Sequence, residues 1–249
     1  MRFNWVALCC LGIFFALVPA AYAQPLPIPG IDINIGEAGS PGEVVNSVKL
    51  LILLTVIALL PAFIIMVTSF TRIVVVLSLL RTALGTHNAP PNQVLIGLAL
   101  FLTIFIMAPV YEQINDQAIQ PFLRNEIDQE QAQEAAAAPL REFMLKQTRE
   151  KDLNLFIRLA EIENPQRDSL PLTVVTPAFM ISELKTAFQM GFMLYLPFVI
   201  IDMVVASILM SLGMFMLPPV MISLPFKILL FILVDGWYLV VKSLVESFA

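Results

Sequence analysis

The stretch that decides the fold begins with PAFMISELKTAFQMGF (residues 177–192) and ends with LGMFMLPP (residues 212–219). It is too apolar for a surface that faces water, yet Glu183, Lys185 and Asp202 lie within it. An ion that is buried away from water without a partner costs several kcal/mol or more. The rest of the chain is therefore expected to orient and enclose this stretch.

The composition of the whole chain is that of a membrane protein. Of its 249 residues, 59% are hydrophobic and 13% charged, and the mean hydropathy is +0.86. Soluble domains average about 45–50% apolar and about 25% charged residues. The net charge of −5 provides no basic surface for nucleic acid, and the scarcity of histidine and cysteine argues against zinc, haem and thiol chemistry. We therefore expect no cofactor, no metal, no nucleic-acid partner and no enzymatic activity.

The N-terminus has the features of a cleaved export signal. A basic start and a short apolar core precede Ala21-Tyr22-Ala23, and Gln24 follows. This pattern predicts a signal peptide over residues 1–23, cleaved between Ala23 and Gln24; the alternative for the same run is a first membrane anchor. Residues 24–43 are rich in proline and glycine, which predicts an irregular exported arm.

Two helical hairpins are predicted from the apolar blocks, one over residues 44–110 and the other over residues 172–249. Proline removes a backbone donor and clashes with the previous helical turn, so we expect Pro61, Pro197 and Pro225 to break the helices. In lipid, a broken backbone survives only where protein or a water-filled cavity covers it. The predicted fold class is therefore all-α, with integral-membrane-like hairpins whose broken helices are buried against other copies or other chains.

Local sequence features predict where several helices begin and end. Gly85 suits the position just after a helix, and Pro109 is expected to end the second apolar block, which is then short for a membrane span. Thr176 and Pro177 suit the cap and the first turn of the central helix. Residues 170–176 are accordingly predicted to form an extended approach to that helix.

Residues 111–171 differ from the rest of the chain, because they hold most of its charges and are net acidic. Residues 127–138 are rich in Glu, Gln and Ala and are predicted to be helical, and a second helix is expected to begin near Pro139. Apolar residues then recur at helical spacing as far as Leu159, so one face of these helices is expected to pack against the apolar part of the molecule. The stretch is predicted to be a small acidic helical domain on the exported, periplasmic side.

Charges within the apolar segments give both a topology and a set of structural groups. Arg72 and Arg81 are the concentrated positive charge near a short loop, and the positive-inside rule places that loop in the cytoplasm. Together with Lys185, Asp202 and Asp235, these arginines are expected to be buried and paired with partners that the sequence does not identify.

Several strings of the sequence resemble the FliP family of flagellar type III export proteins. They are TSFTRI (68–73), LRTALGT (80–86), PPNQV (90–94), SELKTAFQMGF (182–192), LPFK (224–227) and VDGW (234–237). The resemblance covers nearly all of the chain from Val44. It implies a pentameric helical ring that is joined by FliQ and FliR and surrounds a narrow channel for unfolded flagellar subunits. It also implies FlhB at the cytoplasmic entrance, FliO as an assembly aid, and a location in the flagellar basal body at the bacterial inner membrane, largely at its periplasmic face.

The resemblance also implies a role for the methionine-rich turn. The family has a methionine-rich loop that forms a gasket around the pore, and the matching residues here are Met210, Met214, Phe215 and Met216. Methionine is flexible and polarizable, so a ring of methionines can close around varied side chains and reopen. Without the resemblance, the same residues would fit ordinary core packing.

One charge pair is predicted from spacing. Glu183 and Lys185 cannot pair well within a helix because they are two residues apart. An intersubunit salt bridge between Glu183 and Lys227 is predicted instead.

An ion-coupled membrane transporter subunit is the alternative function. Broken helices together with Glu183, Asp202 and Asp235 would suit proton or cation binding within a membrane. The sequence has no evident inverted repeat of the kind that often accompanies such transporters, so the pore-forming export-gate subunit is the favoured interpretation.

Overall fold

A computed structural model of the chain describes residues 41–248 except His87, Asn164 and Pro165. The predicted signal peptide, its cleavage site at Ala23 and Gln24, and residues 24–40 of the predicted arm lie outside the described residues. The chain divides into two units, residues 1–52 and 53–249. Of the first unit only the start of one helix is described, and the core lies in the second unit.

The described residues form helices joined by turns, with no strand among them, which confirms the all-α prediction. A π-helical turn, Asn115–Ile119, joins the helix Asn92–Ile114 to the short helix Gln120–Leu123. The α-helices are α1 (Pro41–Met66), α2 (Phe70–Leu84), α3 (Asn92–Ile114), α4 (Gln120–Leu123), α5 (Gln129–Gln147), α6 (Glu150–Leu159), α7 (Leu172–Ser211), α8 (Pro219–Leu233) and α9 (Gly236–Glu246).

Helix α2 is the centre of the larger core. Its residues Ile73, Val76, Leu77 and Leu80 are fully buried, and α7, α3 and α8 pack around it. Gly85 ends α2 at φ +77°, with its N–H donating to the carbonyl of Thr82, so the predicted helix stop is confirmed.

A second core joins the acidic stretch to the start of α7. Met144 and Leu145 of α5 and Leu153 of α6 are buried against Val175 and Phe179 of α7. The predicted apolar face therefore packs along α5, but on α6 the prediction is wrong: Leu155 and Leu159 are exposed, and Leu153 and Ile157 are the buried residues. Asp128 caps α5 through a reciprocal pair of hydrogen bonds with Gln131.

The prolines do not break the helices, and the breaks predicted at these three positions are wrong. Pro61 lies inside α1, Pro197 inside α7 and Pro225 inside α8. A proline in a long helix removes one hydrogen bond and bends the axis, whereas ending the helix in apolar surroundings would leave several backbone groups unsatisfied. The chain turns instead at Gly213, with φ +76°, and at Asp235, with φ +52°.

Other predicted boundaries are also corrected. Pro109 does not end α3, and α5 runs through Pro139 as one helix. Pro177 lies within α7, which begins at Leu172 after the extended Pro171, so the extended approach predicted for residues 170–176 is mostly helical. Residues 41–43, predicted to belong to the irregular arm, are part of α1.

Three helical segments of the described chain are long and apolar enough to cross a membrane: Val48–Met66, Asn92–Leu123 and Leu172–Ser211. The second of these corrects the expectation of a block too short to span. Helices α8 and α9 are bent by 64° at their junction and count as a fourth span if they are taken together. Length and composition of the described helices therefore fit a membrane protein with three spans, or four if the bent pair is one span.

Candidate functional site

Arg72 and Glu183 form a buried ion pair where α2 meets α7. Their side chains are 2% and 0% exposed. Arg72 Nε donates to Glu183 Oε2 at 2.9 Å, and Nη2 donates to Oε1, so the guanidinium binds both carboxylate oxygens. The planar guanidinium of arginine can donate to both carboxylate oxygens at once, and the ammonium group of lysine cannot reproduce this geometry.

The rest of the Arg72 guanidinium binds the segment that follows α9 and the end of α5. Nη1 donates to the carbonyl and hydroxyl oxygens of Ser247 at 2.9 and 3.0 Å, and Nη2 donates to Gln147 Oε1 at 3.0 Å. The guanidinium carbon lies 3.8 Å from the centroid of the Phe248 ring. One side chain therefore connects α2, α5, α7 and the segment that follows α9.

A second ion pair joins α7 to α8. Lys227 Nζ donates to Asp202 Oδ2 at 2.6 Å and to the carbonyl of Ala83 at 3.3 Å. Ser223, one turn before Lys227, donates its hydroxyl to Asp202 Oδ1. Lys227 and Ser223 project from the same face of α8 because they are four residues apart. The pair fixes the hairpin formed by α7 and α8 and attaches it to the end of α2.

These two pairs differ from the predicted intersubunit bridge between Glu183 and Lys227. Within the chain, Glu183 binds Arg72 and Lys227 binds Asp202. Both charges are thus compensated locally, and the physical requirement that motivated the intersubunit bridge is already met.

The remaining predicted charges are placed differently. Arg81 is half-buried and holds the turn between α2 and α3, since its Nη1 donates to Asn92 Oδ1 at 2.5 Å and to the carbonyl of Pro90 at 3.3 Å. Lys185 and Asp235 are exposed on the single chain. Their predicted burial would therefore have to come from other chains.

The methionine-rich turn is an exposed apolar loop. Met210 lies in the last turn of α7, and Met214, Phe215 and Met216 follow Gly213 in the connection to α8. Phe215 is 77% and Met216 is 95% exposed, and the other two side chains are also exposed. These residues are not core filler of this chain. An apolar patch of this kind marks a surface that contacts another molecule.

Exposed apolar side chains also cover the long helices. They include Phe101 and Phe105 on α3, Phe192 and Met193 on α7, and Leu233 at the end of α8. Lipid or other protein chains must cover such a surface, because soluble proteins rarely leave contiguous apolar patches of this extent in water.

Sequence reasoning missed the partners of the buried charges. The rule that buried ions need partners predicted only that Arg72 and Glu183 would each have a partner, and their opposite charges in apolar segments were the available signal. Nothing local identified Gln147, Ser247 or Phe248 as neighbours of Arg72, because they are distant from it in the sequence.

The fold and the interior ion pairs define a helical membrane protein with an exposed apolar loop between its last spans. The chain belongs to the FliP family, whose family model matches residues 53–244. It is 60% identical over 217 residues to the flagellar biosynthetic protein FliP of Bacillus subtilis (strain 168), covering 87% of this chain and 98% of the relative. It is 55% identical over 235 residues to the flagellar biosynthetic protein FliP of Pectobacterium carotovorum subsp. carotovorum, covering 94% of this chain and 87% of the relative.

A third relative, the flagellar biosynthetic protein FliP of Aquifex aeolicus (strain VF5), is 54% identical over 224 residues, with 89% of this chain and 92% of the relative covered. The resemblance inferred from the short sequence strings is confirmed. The chain is therefore a flagellar biosynthesis protein, its family implies a part in protein export, and its apolar helices fit a membrane location.

Proposed function

We propose that this chain is a pore-forming subunit of the flagellar type III export gate. Several copies form a ring at the inner membrane, largely at its periplasmic face, and unfolded flagellar subunits pass through the centre. FliQ, FliR and FlhB are the further components that the family resemblance implies, with FliO assisting assembly. The observation that carries the proposal is the exposed loop of Met214, Phe215 and Met216 between two apolar helices.

The loop has the chemistry of an adaptable seal. Thioether side chains are flexible and polarizable, so they pack against side chains of many shapes. A loop that packed in the core of its own chain would be buried, whereas Met216 in this loop is almost fully exposed. Copies arranged with these loops toward a common axis would bury them against one another and close the channel when no substrate is present.

The apolar surface supports an assembly of several chains. Helix α7 carries exposed apolar residues along its length, from Ile181 to Met210. It has 40 residues and is therefore about 60 Å long, roughly twice the hydrocarbon thickness of a bilayer. A single bilayer cannot cover the whole of it when it stands upright. Other copies of the chain are the simplest cover for the remainder.

The transporter alternative loses its main support. It needs carboxylates that are available to bind a proton or a cation, but Glu183 is held by Arg72 and Asp202 by Lys227 and Ser223. Asp235 remains uncompensated, and a single exposed carboxylate does not make a cation site. We therefore retain the export gate alone.

Cysteine cross-linking at Met216 tests the ring. In a chain with Cys9 and Cys10 replaced by serine, Met216→Cys is expected to give a ladder of cross-linked species up to a closed ring when membranes are treated with a short bis-maleimide. Glu130→Cys, at an exposed position of α5, is the matched control and is expected to give no ladder. A Met216→Cys chain that supports motility but gives only monomer would contradict the proposal.

A further inference from the structure

The charges of the last two spans can be assigned to partners one by one. Within the described residues from Leu172 onward, Glu183 binds Arg72, Asp202 binds Lys227, and Lys242 lies 3.8 Å from Glu246. The charged side chains without an ion pair or a side-chain hydrogen bond in this part of the structure are Lys185 and Asp235. They have opposite signs.

Lys185 lies on an apolar and exposed part of α7. Its neighbours on the helix surface, Ile181 and Phe188, are 43% and 57% exposed, and Phe192 continues the same stripe. In the proposed ring, a surface of this composition would be covered. An ammonium group that is covered by apolar material without a partner is costly, so Lys185 requires an anion from elsewhere.

Asp235 lies at the break between α8 and α9. Its backbone adopts φ +52° and ψ +54°, which side-chain-bearing residues rarely adopt, and its carboxylate makes no capping hydrogen bond to α9. The flanking Leu233 and Tyr238 are 73% and 60% exposed. The carboxylate is therefore surrounded by apolar surface in the same way as Lys185, and it requires a cation.

The two groups are at different levels of the same chain. At a rise of about 1.5 Å per residue, Lys185 lies about 25 Å from Asp202 along α7, and Asp235 lies about 12 Å from Lys227 along α8. Because Lys227 contacts Asp202 and the two helices are antiparallel, both displacements run in the same direction. The levels therefore differ by about 13 Å, which accounts for the lack of a pair within one chain.

We infer that Lys185 of one copy pairs with Asp235 of a neighbouring copy. The inference rests on the proposed ring and specifies the surface through which adjacent copies meet. In a ring this contact is head-to-tail and repeats from copy to copy, because each copy contributes Lys185 to one neighbour and Asp235 to the other. The difference in level also requires that neighbouring copies be stepped along the axis rather than lie in one plane.

Proximity between copies is the first test. In the background without Cys9 and Cys10, the combination Lys185→Cys with Asp235→Cys is expected to cross-link into a ladder on oxidation of membranes, whereas either single cysteine is expected to give monomer. Met216→Cys, expressed as a separate variant and tested in its own membranes, reports the ring independently. A Met216 ladder without a ladder from the double cysteine would overturn the pairing and leave the ring intact. Loss of both ladders, with the chain present in the membrane, would overturn both.

Charge exchange is the second test. Lys185→Asp and Asp235→Lys are each expected to lower the yield of Met216 cross-linked rings at least tenfold, and the double exchange is expected to restore most of it. Lys242→Asp with Glu246→Lys is the matched control, because that exposed pair lies within one helix and its exchange is expected to leave the yield unchanged. Failure of the double exchange to restore rings beyond the single variants would overturn the pairing.

Discussion

Arg72 and Glu183 are 111 residues apart in the sequence and are joined in the interior by two hydrogen bonds between α2 and α7. The contact fixes the register of α2 against α7. The same guanidinium holds the carbonyl of Ser247, so the C-terminal end is fixed by the same group. One buried cation thus determines how three distant parts of the chain fit together.

Removal of Arg72 is expected to be among the most damaging single changes. Arg72→Met leaves Glu183 charged and fully buried, which costs about 3–5 kcal/mol of folding free energy. Arg72→Met with Glu183→Leu is expected to recover part of the loss, because an apolar pair of similar volume is often tolerated. Thermal unfolding of the purified protein in detergent measures both variants.

Arg124→Met is the control for that measurement. Arg124 and Glu126 lie 4.0 Å apart and are both well exposed, so the expected loss is between about 0 and 1 kcal/mol. Equal unfolding temperatures for Arg72→Met and Arg124→Met would contradict the structural role of the buried pair.

The second ion pair is expected to be asymmetric. Lys227 is 3% exposed and Asp202 is 26% exposed. Asp202→Ala leaves a buried ammonium with only the carbonyl of Ala83, whereas Lys227→Met leaves a partly exposed carboxylate that keeps the hydroxyl of Ser223. Asp202→Ala should therefore lower the unfolding temperature more than Lys227→Met, and Ser223→Ala should cost only about 1 kcal/mol. The opposite order of the first two variants would refute this assignment.

Gly191 allows the close approach of α7 to α2. A Cβ atom placed there would lie 2.2 Å from Leu79 Cδ1 and 3.0 Å from Leu79 Cβ, so movement of the side-chain tip alone would not relieve the clash. Gly191→Ala is expected to destabilise the protein by about 1–3 kcal/mol, and Leu79→Ala in the same chain should restore part of that. The unfolding temperatures of the unaltered chain, of Gly191→Ala and of the double variant measure both effects.

Gly97→Ala is the matched control for that series. Gly97 lies in α3, and beyond its chain neighbours and its own helical backbone no atom lies within 4 Å of an added Cβ. The change is expected to be neutral or to stabilise the helix by up to about 1 kcal/mol, since alanine is the better helix former. If Gly97→Ala and Gly191→Ala had the same effect, the contact between Gly191 and Leu79 would not be the cause.

The methionine loop is expected to limit ion leakage if it closes the proposed channel. Met214→Ala with Met216→Ala shortens two exposed side chains per copy, so gaps should open between copies. Membrane vesicles that contain the variant and the other export components are expected to lose a proton gradient faster than those with the unaltered chain. Met203→Ala, at a 65% exposed methionine of α7 outside the loop, serves as the control. Unchanged permeability in the loop variant would count against the gasket.

The sequence predicted the features that depend on short stretches of chain. Hydropathy and composition identified a helical membrane protein, and Gly85 ended α2 as expected because its positive φ is a local property. The capping pair Asp128 and Gln131 is likewise a local pattern, since the two residues are three apart in the sequence. Short strings such as SELKTAFQMGF identified the family because adjacent residues can be compared between sequences without knowing which distant residues they contact.

Only the tertiary structure decided the helix breaks and the charge partners. The effect of a proline such as Pro197 depends on whether the surroundings would satisfy the backbone groups that a break exposes, and in apolar surroundings the helix continues. The pairing of Glu183 with Arg72, and of Asp202 with Lys227, depends on how α7 packs against α2 and α8. The sequence determined that buried charges require opposite charges; packing between residues far apart in the chain determined which ones they meet.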